Sequence, residues 1–148
     1  MEFLNYDEKY LNQITNINYE NMSHYLGLDK NRFEKELNNF LKNGKIIILW
    51  EDDDVIGFFG FKDSEYEDNF IFLDNIQLKK EVCGKGYGKR VLWYVEDIVR
   101  KRNKSGIHLY TNVKNVKAIE FYLKNGFKKD VIFENGKTLH MIKSGCKK

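Results

Sequence analysis

Proline is absent from this chain, so its turns must be built from Gly, Asn and Asp. Cysteine is nearly absent too. Cys83 and Cys146 are the only two and lie far apart, which argues against a disulfide scaffold and for a reducing compartment. No apolar run approaches twenty residues, so the sequence offers no membrane-spanning helix. The opening Met1-Glu2-Phe3-Leu4-Asn5-Tyr6 lacks the basic and then apolar regions of a signal peptide, and a cytoplasmic location is expected. A strong charge of either sign is also missing. The net charge is +3, and lysines are interleaved with acids along the chain, as on a solvated surface; no basic aromatic patch points to nucleic acid. His24, His108 and His140 show no metal-ligand spacing, and no metal is expected.

What is present is enough apolar material for one core. Of 148 residues, 42% are hydrophobic, and 11 Phe and 9 Tyr supply large side chains to fill it. The length fits a single domain spanning 1–148, without repeats or linkers. Leu11, Ile14 and Ile17 recur at helical spacing and lead on to Met22, Tyr25 and Leu26. Phe33, Leu37, Phe40 and Leu41 form a cleaner stripe ending at Asn43-Gly44, so two helices are expected before the first long strand. Ile46 to Trp50 and Val55 to Phe61 read as a hairpin around an acidic turn. The near-continuous apolar start of Phe70 to Leu78 predicts a central strand. A helix with Val91, Leu92, Val95, Ile98 and Val99 on one face follows, then a strand at Ile107 to Val113 and a short helix from Val116 to Lys124, stopped by Asn125-Gly126. Phe127 to Phe133 and Thr138 to Lys143 close the chain as a hairpin around an Asn-Gly turn. This order predicts an α/β fold of α+β type, with about four helices and a mixed central sheet of about six to seven strands.

The sharpest local feature is strand, glycine loop, helix. In Gly84-Lys85-Gly86-Tyr87-Gly88, glycines at alternate positions let the backbone turn tightly and gather its amide N–H groups. A helix start directly after them adds unpaired N–H groups and a positive dipole end, which together suit a phosphate. A GxGxG run alone is often just a turn. The dinucleotide fingerprint GxGxxG has a different final spacing, and no Gly-Lys-Ser/Thr ending of a nucleotide-triphosphate loop occurs.

Context resolves the ambiguity. The segment from Ile76 through Gln77, Leu78 and Cys83 to Gly88 resembles the fourth strand and pyrophosphate loop of the GNAT acetyltransferase family, written Q/R-x-x-G-x-G/A. Further along, Asn115-Val116-Lys117-Ala118-Ile119-Glu120-Phe121-Tyr122-Leu123-Lys124-Asn125-Gly126-Phe127 resembles that family's second block, N-x-x-A-x-x-x-Y-x-x-x-G-F. The resemblance covers about Phe70 to Phe127 and departs at Cys83, where the family usually carries Gln or Arg. It implies a GNAT fold and an N-acetyltransferase using acetyl-CoA as co-substrate, with direct transfer to a primary amine in a ternary complex. It further implies that the cofactor arm runs beside Ile76, Gln77 and Leu78, where a backbone N–H would polarise the thioester. The pyrophosphate would rest on Cys83, Gly84, Lys85, Gly86, Tyr87, Gly88 and Lys89, and Asn115 would bind the arm through its amide. Tyr122 matches the family tyrosine that protonates the departing thiolate.

Each of these residues also has a plainer reading. Phe121-Tyr122 on an amphipathic helix is ordinarily core, Asn115 is an N-cap for the next helix, and Cys83 is a small side chain at a tight turn. Asp74 interrupts an apolar strand, so it is either a base for the attacking amine or a carboxylate that points outward or is paired; a water chain is the alternative base. The acidic runs Glu51 to Asp54 and Glu65 to Asp68 would attract a cationic amine but read as solvated turns, and Tyr25 and Trp50 read as core or pocket wall. The acceptor, a small molecule or a protein, is left open. So is the oligomeric state, with a homodimer among the options. A non-catalytic acyl-CoA-binding domain of the same fold is the alternative function.

Overall fold

The computed structural model describes residues 1–26 and 29–145, and for 23–26 the backbone only. Expectations that rest on the side chains of His24, Tyr25 and Leu26, or on Cys146, lie outside the described residues. Among the described residues, seven strands form one mixed sheet in the order β1-β2-β3-β4-β5-β7-β6, accompanied by four α-helices. The residue contacts gather into two compact units, one of 1–61 with 76–88, the other of 62–75 with residues from Lys89 on.

The first unit opens with a short strand that the sequence pattern does not announce. β1 (Glu2–Asn5) has only four residues and pairs antiparallel with β2 (Lys45–Glu51), Phe3 opposite Leu49. Two expected helices follow, α1 (Leu11–Leu26) and α2 (Lys30–Phe40). α2 is capped by Asp29, whose carboxylate accepts the Arg32 N–H at 2.8 Å. β2 and β3 (Asp54–Asp63) form the expected hairpin, with a register shift between Leu49 and Trp50. Successive strand side chains point to opposite faces. Ile46 and Ile48 therefore join Ile14, Ile17, Phe33, Leu37, Val55 and Phe58 in one cluster, while Ile47, Leu49 and Phe59 are buried on the other face. Burial on both faces explains the unbroken Ile-Ile-Ile-Leu run. Trp50 packs at the edge of this cluster against Tyr10, with ring centroids 5.9 Å apart.

β4 (Phe70–Leu78) contributes its beginning to the second unit and its end to the first. It is the fourth of seven strands, central as expected. In the second unit its first residues pair parallel with β5 (Gly106–Asn112), from Phe70–Gly106 to Phe72–His108. β5 pairs along its whole length with β7 (Thr138–Ser144), and β7 carries β6 (Lys128–Ile132) on its other side. The last hairpin thus inserts its second strand beside β5 and leaves β6 at the edge. α3 (Tyr87–Lys101) buries Val91, Leu92, Val95 and Val99 of the face its spacing predicts, with Ile98 only partly buried. α4 (Val116–Lys124) ends at Gly126, whose φ of +93° is the left-handed stop a helix C-terminus favours.

Candidate functional site

The glycine loop lies in the first unit, between the end of β4 and the start of α3. β4 ends at Leu78, a 3-10 turn covers Lys80–Val82 with Val82 buried, and Cys83 is extended. Gly84 and Gly86 then take φ of +82° and +84°, a conformation that costs other residues roughly 1–2 kcal/mol. A Cβ built on either would meet no atom within 4 Å. No neighbouring atom stands over either glycine, so the space above the loop is open. α3 begins at Tyr87 with no acidic residue in its first turn, and its first N–H groups lack intrahelical partners. With the Lys85 side chain beside them, this donor set fits a pyrophosphate.

A carboxylate braces the loop. The Tyr87 hydroxyl donates to Glu51 at the end of β2, at 2.6 Å from Oε2. That bond, with help from nearby positive charge that includes Lys85, holds the Glu51 carboxyl below its usual range. Asp54 of the same acidic run pairs with Lys79 at 2.6 Å. Cys83 is an exposed free thiol whose Sγ lies 3.4 Å from the Lys79 carbonyl.

The end of β4 is tied to α1 by a residue the sequence reading passed over. Asn21 donates through Nδ2 to the Leu78 carbonyl at 2.8 Å and to Oε1 of Gln77 at 3.1 Å. Gln77 is buried, so what it can offer a ligand is its backbone rather than its amide side chain. Asn21 stands in a helix as one polar residue among several, and only the fold reveals its partners.

The second unit holds the other candidates. Asp74 is half-buried and, by strand alternation, shares a face with Phe70 and Phe72, while Ile71 and Leu73 fill the opposite face. Registered β4–β5 pairs end at Phe72–His108, although β4 runs on to Leu78 and β5 to Asn112. Parallel strands that stop pairing in mid-course leave backbone donors and acceptors for another partner. Asn115 is the N-cap of α4, with Oδ1 accepting from the Ala118 N–H at 3.3 Å, so Nδ2 is the group a ligand would engage. Tyr122 is 7% exposed and packs edge-on against Phe127 at 5.3 Å. Lys89 sets its Nζ 5.8 Å from the Trp93 ring centroid.

One arrangement in this unit had no place in the sequence reading. His108 and His140, both buried, approach at 3.0 Å between Nδ1 and Nε2. Nε2 of His108 lies 2.7 Å from Ser64 Oγ, and Nδ1 of His140 lies 2.8 Å from an Asp130 carboxylate oxygen. Burial, and secondarily His140, push the pKa of His108 down to about 4. Tyr110 rests between the two rings and Phe133, and burial followed by Glu67 and Tyr66 raises its pKa. Among the described residues, no group of three or more His, Cys, Asp or Glu side chains is arranged to hold a metal ion.

Known proteins share this architecture. The Acetyltransferase (GNAT) family profile matches residues 11–127. The crystal structure of the PaiA N-acetyltransferase from Thermoplasma acidophilum, in complex with coenzyme A, superposes with a TM-score of 0.77 at 22% identity, covering 97% of this chain and 98% of that one. A Bacillus anthracis structure solved with acetyl coenzyme A gives a TM-score of 0.63 at 25% identity, over 70% of this chain and 63% of the other. The uncharacterized protein YxbD of Bacillus subtilis (strain 168) is 31% identical over 88 residues, which are 60% of this chain and 52% of YxbD. The match thus spans about half the length of that relative. With the family profile covering most of the sequence, the chain belongs to the GNAT acetyltransferase family.

Proposed function

We propose that this chain, as a single catalytic domain, is an N-acetyltransferase that moves an acetyl group from acetyl-CoA to a primary amine on a small molecule or a protein. The observation that carries the reading is the pair of left-handed glycines, Gly84 and Gly86, with open space above them at the start of α3. The backbone of Cys83 to Gly88, with Lys85 and Lys89, would hold the pyrophosphate. Backbone groups of Ile76, Gln77 and Leu78 and the Asn115 amide would hold the arm. When bound, the thioester supplies an acyl carbon open to attack by a neutral amine. A backbone N–H at the end of β4 would polarise its carbonyl.

Two proton movements are then needed, and the chain has a group for each. A primary amine with pKa near ~10 is mostly charged at neutral pH and must lose a proton before it attacks. Asp74, an ionisable side chain at a half-buried strand position, is proposed as the acceptor of that proton. Tyr122 is proposed to hold at its hydroxyl the proton that the leaving thiolate takes up. A phenol near pKa ~10 stays protonated at neutral pH and can donate to a thiolate whose thiol has a pKa near ~8.5. The exposed free thiol of Cys83 accords with a reducing, cytoplasmic setting.

Calorimetric titration with acetyl-CoA, with ATP and NAD as comparison ligands, tests the reading, followed by release of free CoA in the presence of an amine panel. Selective acetyl-CoA binding with amine-dependent CoA release is expected. Absence of acetyl-CoA binding refutes the enzyme reading, and binding without turnover against any amine leaves a cofactor-binding domain in its place.

A further inference from the structure

The four side chains from Ser64 to Asp130 form more than a row of polar contacts, because their hydrogen-bond directions are fixed. Ser64 Oγ accepts two backbone N–H groups, from Tyr66 at 3.1 Å and Glu67 at 2.9 Å. Both of its lone pairs are committed, so its own proton points to Nε2 of His108, 2.7 Å away. Nε2 of His108 is then an acceptor, and the neutral ring carries its proton on Nδ1, facing Nε2 of His140. His140 must in turn carry its proton on Nδ1, where it donates to Asp130. One arrangement satisfies every group, and it runs one way, from the 64–70 loop across β5 and β7 to β6. It also puts both rings in the Nδ1–H tautomer.

We propose that Ser64, His108, His140 and Asp130 form a polarised relay that latches the 64–70 loop at neutral pH and releases it when the histidine pair takes up a proton. The added proton joins the His108–His140 pair, whose outer end meets the Asp130 carboxylate. Whichever ring holds it, one N–H still occupies the His108–His140 bond, Nδ1 of His140 still donates to Asp130, and Nε2 of His108 gains a proton that faces Ser64. The serine oxygen would face three N–H donors with two lone pairs, so one of its turn bonds must open. Among the described residues, Glu67 and Tyr66 of the loop act on Tyr110 of β5, and Lys62 of β3 sets its Nζ 5.9 Å from the Phe72 ring centroid and 3.5 Å from Glu65.

The loop holds the start of β4, since the Ser64 N–H bonds to the Phe70 carbonyl at 2.9 Å and the Phe70 N–H to Glu67 at 3.2 Å. The relay residues are thus positioning residues for the strand that carries Asp74. This last consequence rests on the acetyltransferase reading; the latch itself does not.

The test uses the full chain labelled with 15N. At pH 8, long-range 1H–15N spectra should show both rings as Nδ1–H tautomers, against the Nε2–H form that free neutral histidine prefers. On acidification the pair should take up one proton and His108 should gain an Nε2–H. Over the same interval the hydrogen-exchange protection of the Tyr66 and Glu67 amides should fall at least tenfold. Asp130→Asn keeps an acceptor for the neutral relay but removes the charge that steadies the imidazolium, so the release should move about one pH unit lower. Ser64→Ala should lose the protection at every pH. An Nε2–H tautomer for either ring at pH 8, or an unmoved midpoint in Asp130→Asn, overturns the latch. Acetyl-CoA titration of the same sample judges the enzymatic reading separately.

Discussion

The Tyr87 hydroxyl stands 2.5 and 2.6 Å from the two carboxylate oxygens of Glu51, tying the first residue of α3 to the last residue of β2. Glu51 places a negative charge close to the loop proposed to bind pyrophosphate, and Lys85 lies near enough to act on it. The carboxylate therefore works as a mechanical brace whose charge opposes the ligand. Tyr87→Phe keeps the charge and removes the brace. Acetyl-CoA affinity by calorimetry should fall several-fold, with little change in thermal stability. Unchanged affinity would show that the loop holds its shape without Glu51.

Glycines in this chain do two different jobs, and substitution separates them. Alanine at Gly84 or Gly86 meets no neighbouring atom, so its cost is the strain of a positive φ, roughly 1–2 kcal/mol. Alanine at Gly106, in β5, would press its Cβ into the Lys143 carbonyl and the Phe70 ring. Gly106→Ala is expected to cost about 3 kcal/mol, read as a melting temperature lower by roughly 10 °C. Gly86→Ala should melt only a few degrees lower yet lose at least tenfold in acetyl-CoA affinity. If the two variants differ only in stability and bind alike, the open space above the loop is not a ligand cradle.

Much of this was legible in the sequence, and the gaps have physical causes. Strand β4 and helix α4 begin and end where the pattern puts them, because each is bounded by strong signals: turn residues before Phe70, and the Asn115 cap and Gly126 stop around α4. β1 was missed because four residues with two apolar side chains carry no period; pairing with β2 makes it a strand. The glycine loop was readable because positive φ demands glycine, a local requirement written in residue type. Asn21 and the His108–His140 pair were not. Their partners lie 57 and 32 positions away, and only register brings them together. Alternation in β5 and β7 places His108, Tyr110 and His140 on strand faces, but which strands are neighbours is a fact of topology.

In the proposed mechanism Tyr122 must hold a proton and Asp74 must lack one, and two variants test these roles. Tyr122→Phe removes the proposed donor from a buried side chain while keeping its ring against Phe127. Turnover should fall by about 10²-fold or more with acetyl-CoA affinity nearly unchanged. Asp74→Asn removes the proposed base, and the acid limb of the pH–rate profile should shift or vanish along with much of the rate. A Tyr122→Phe enzyme with full turnover would return Tyr122 to the core. An unaltered pH profile in Asp74→Asn would leave the amine to lose its proton through water.

His108 links the relay to global stability in a way whose sign can be worked out. Its pKa in the folded chain is pushed down to about 4, by burial first and by His140 second, against an ordinary value near 6.5. Between these values the unfolded chain binds a proton at this position that the folded chain refuses, so acid favours unfolding there. The contribution is fully present above pH 6.5, falls as the pH drops toward 4, and is flat below. Its ceiling is about 3 kcal/mol at ~1.4 kcal/mol per unit. Urea unfolding of the wild type and His108→Gln at several pH values isolates it, since titrations elsewhere are common to both. Glutamine can still accept from Ser64 and donate to His140 but cannot be charged. The wild type should lose stability relative to His108→Gln across pH 6.5 to 4. Parallel curves would mean that His108 keeps an ordinary affinity for protons in the fold, and that its burial is relieved by a group outside the Ser64–His140 line.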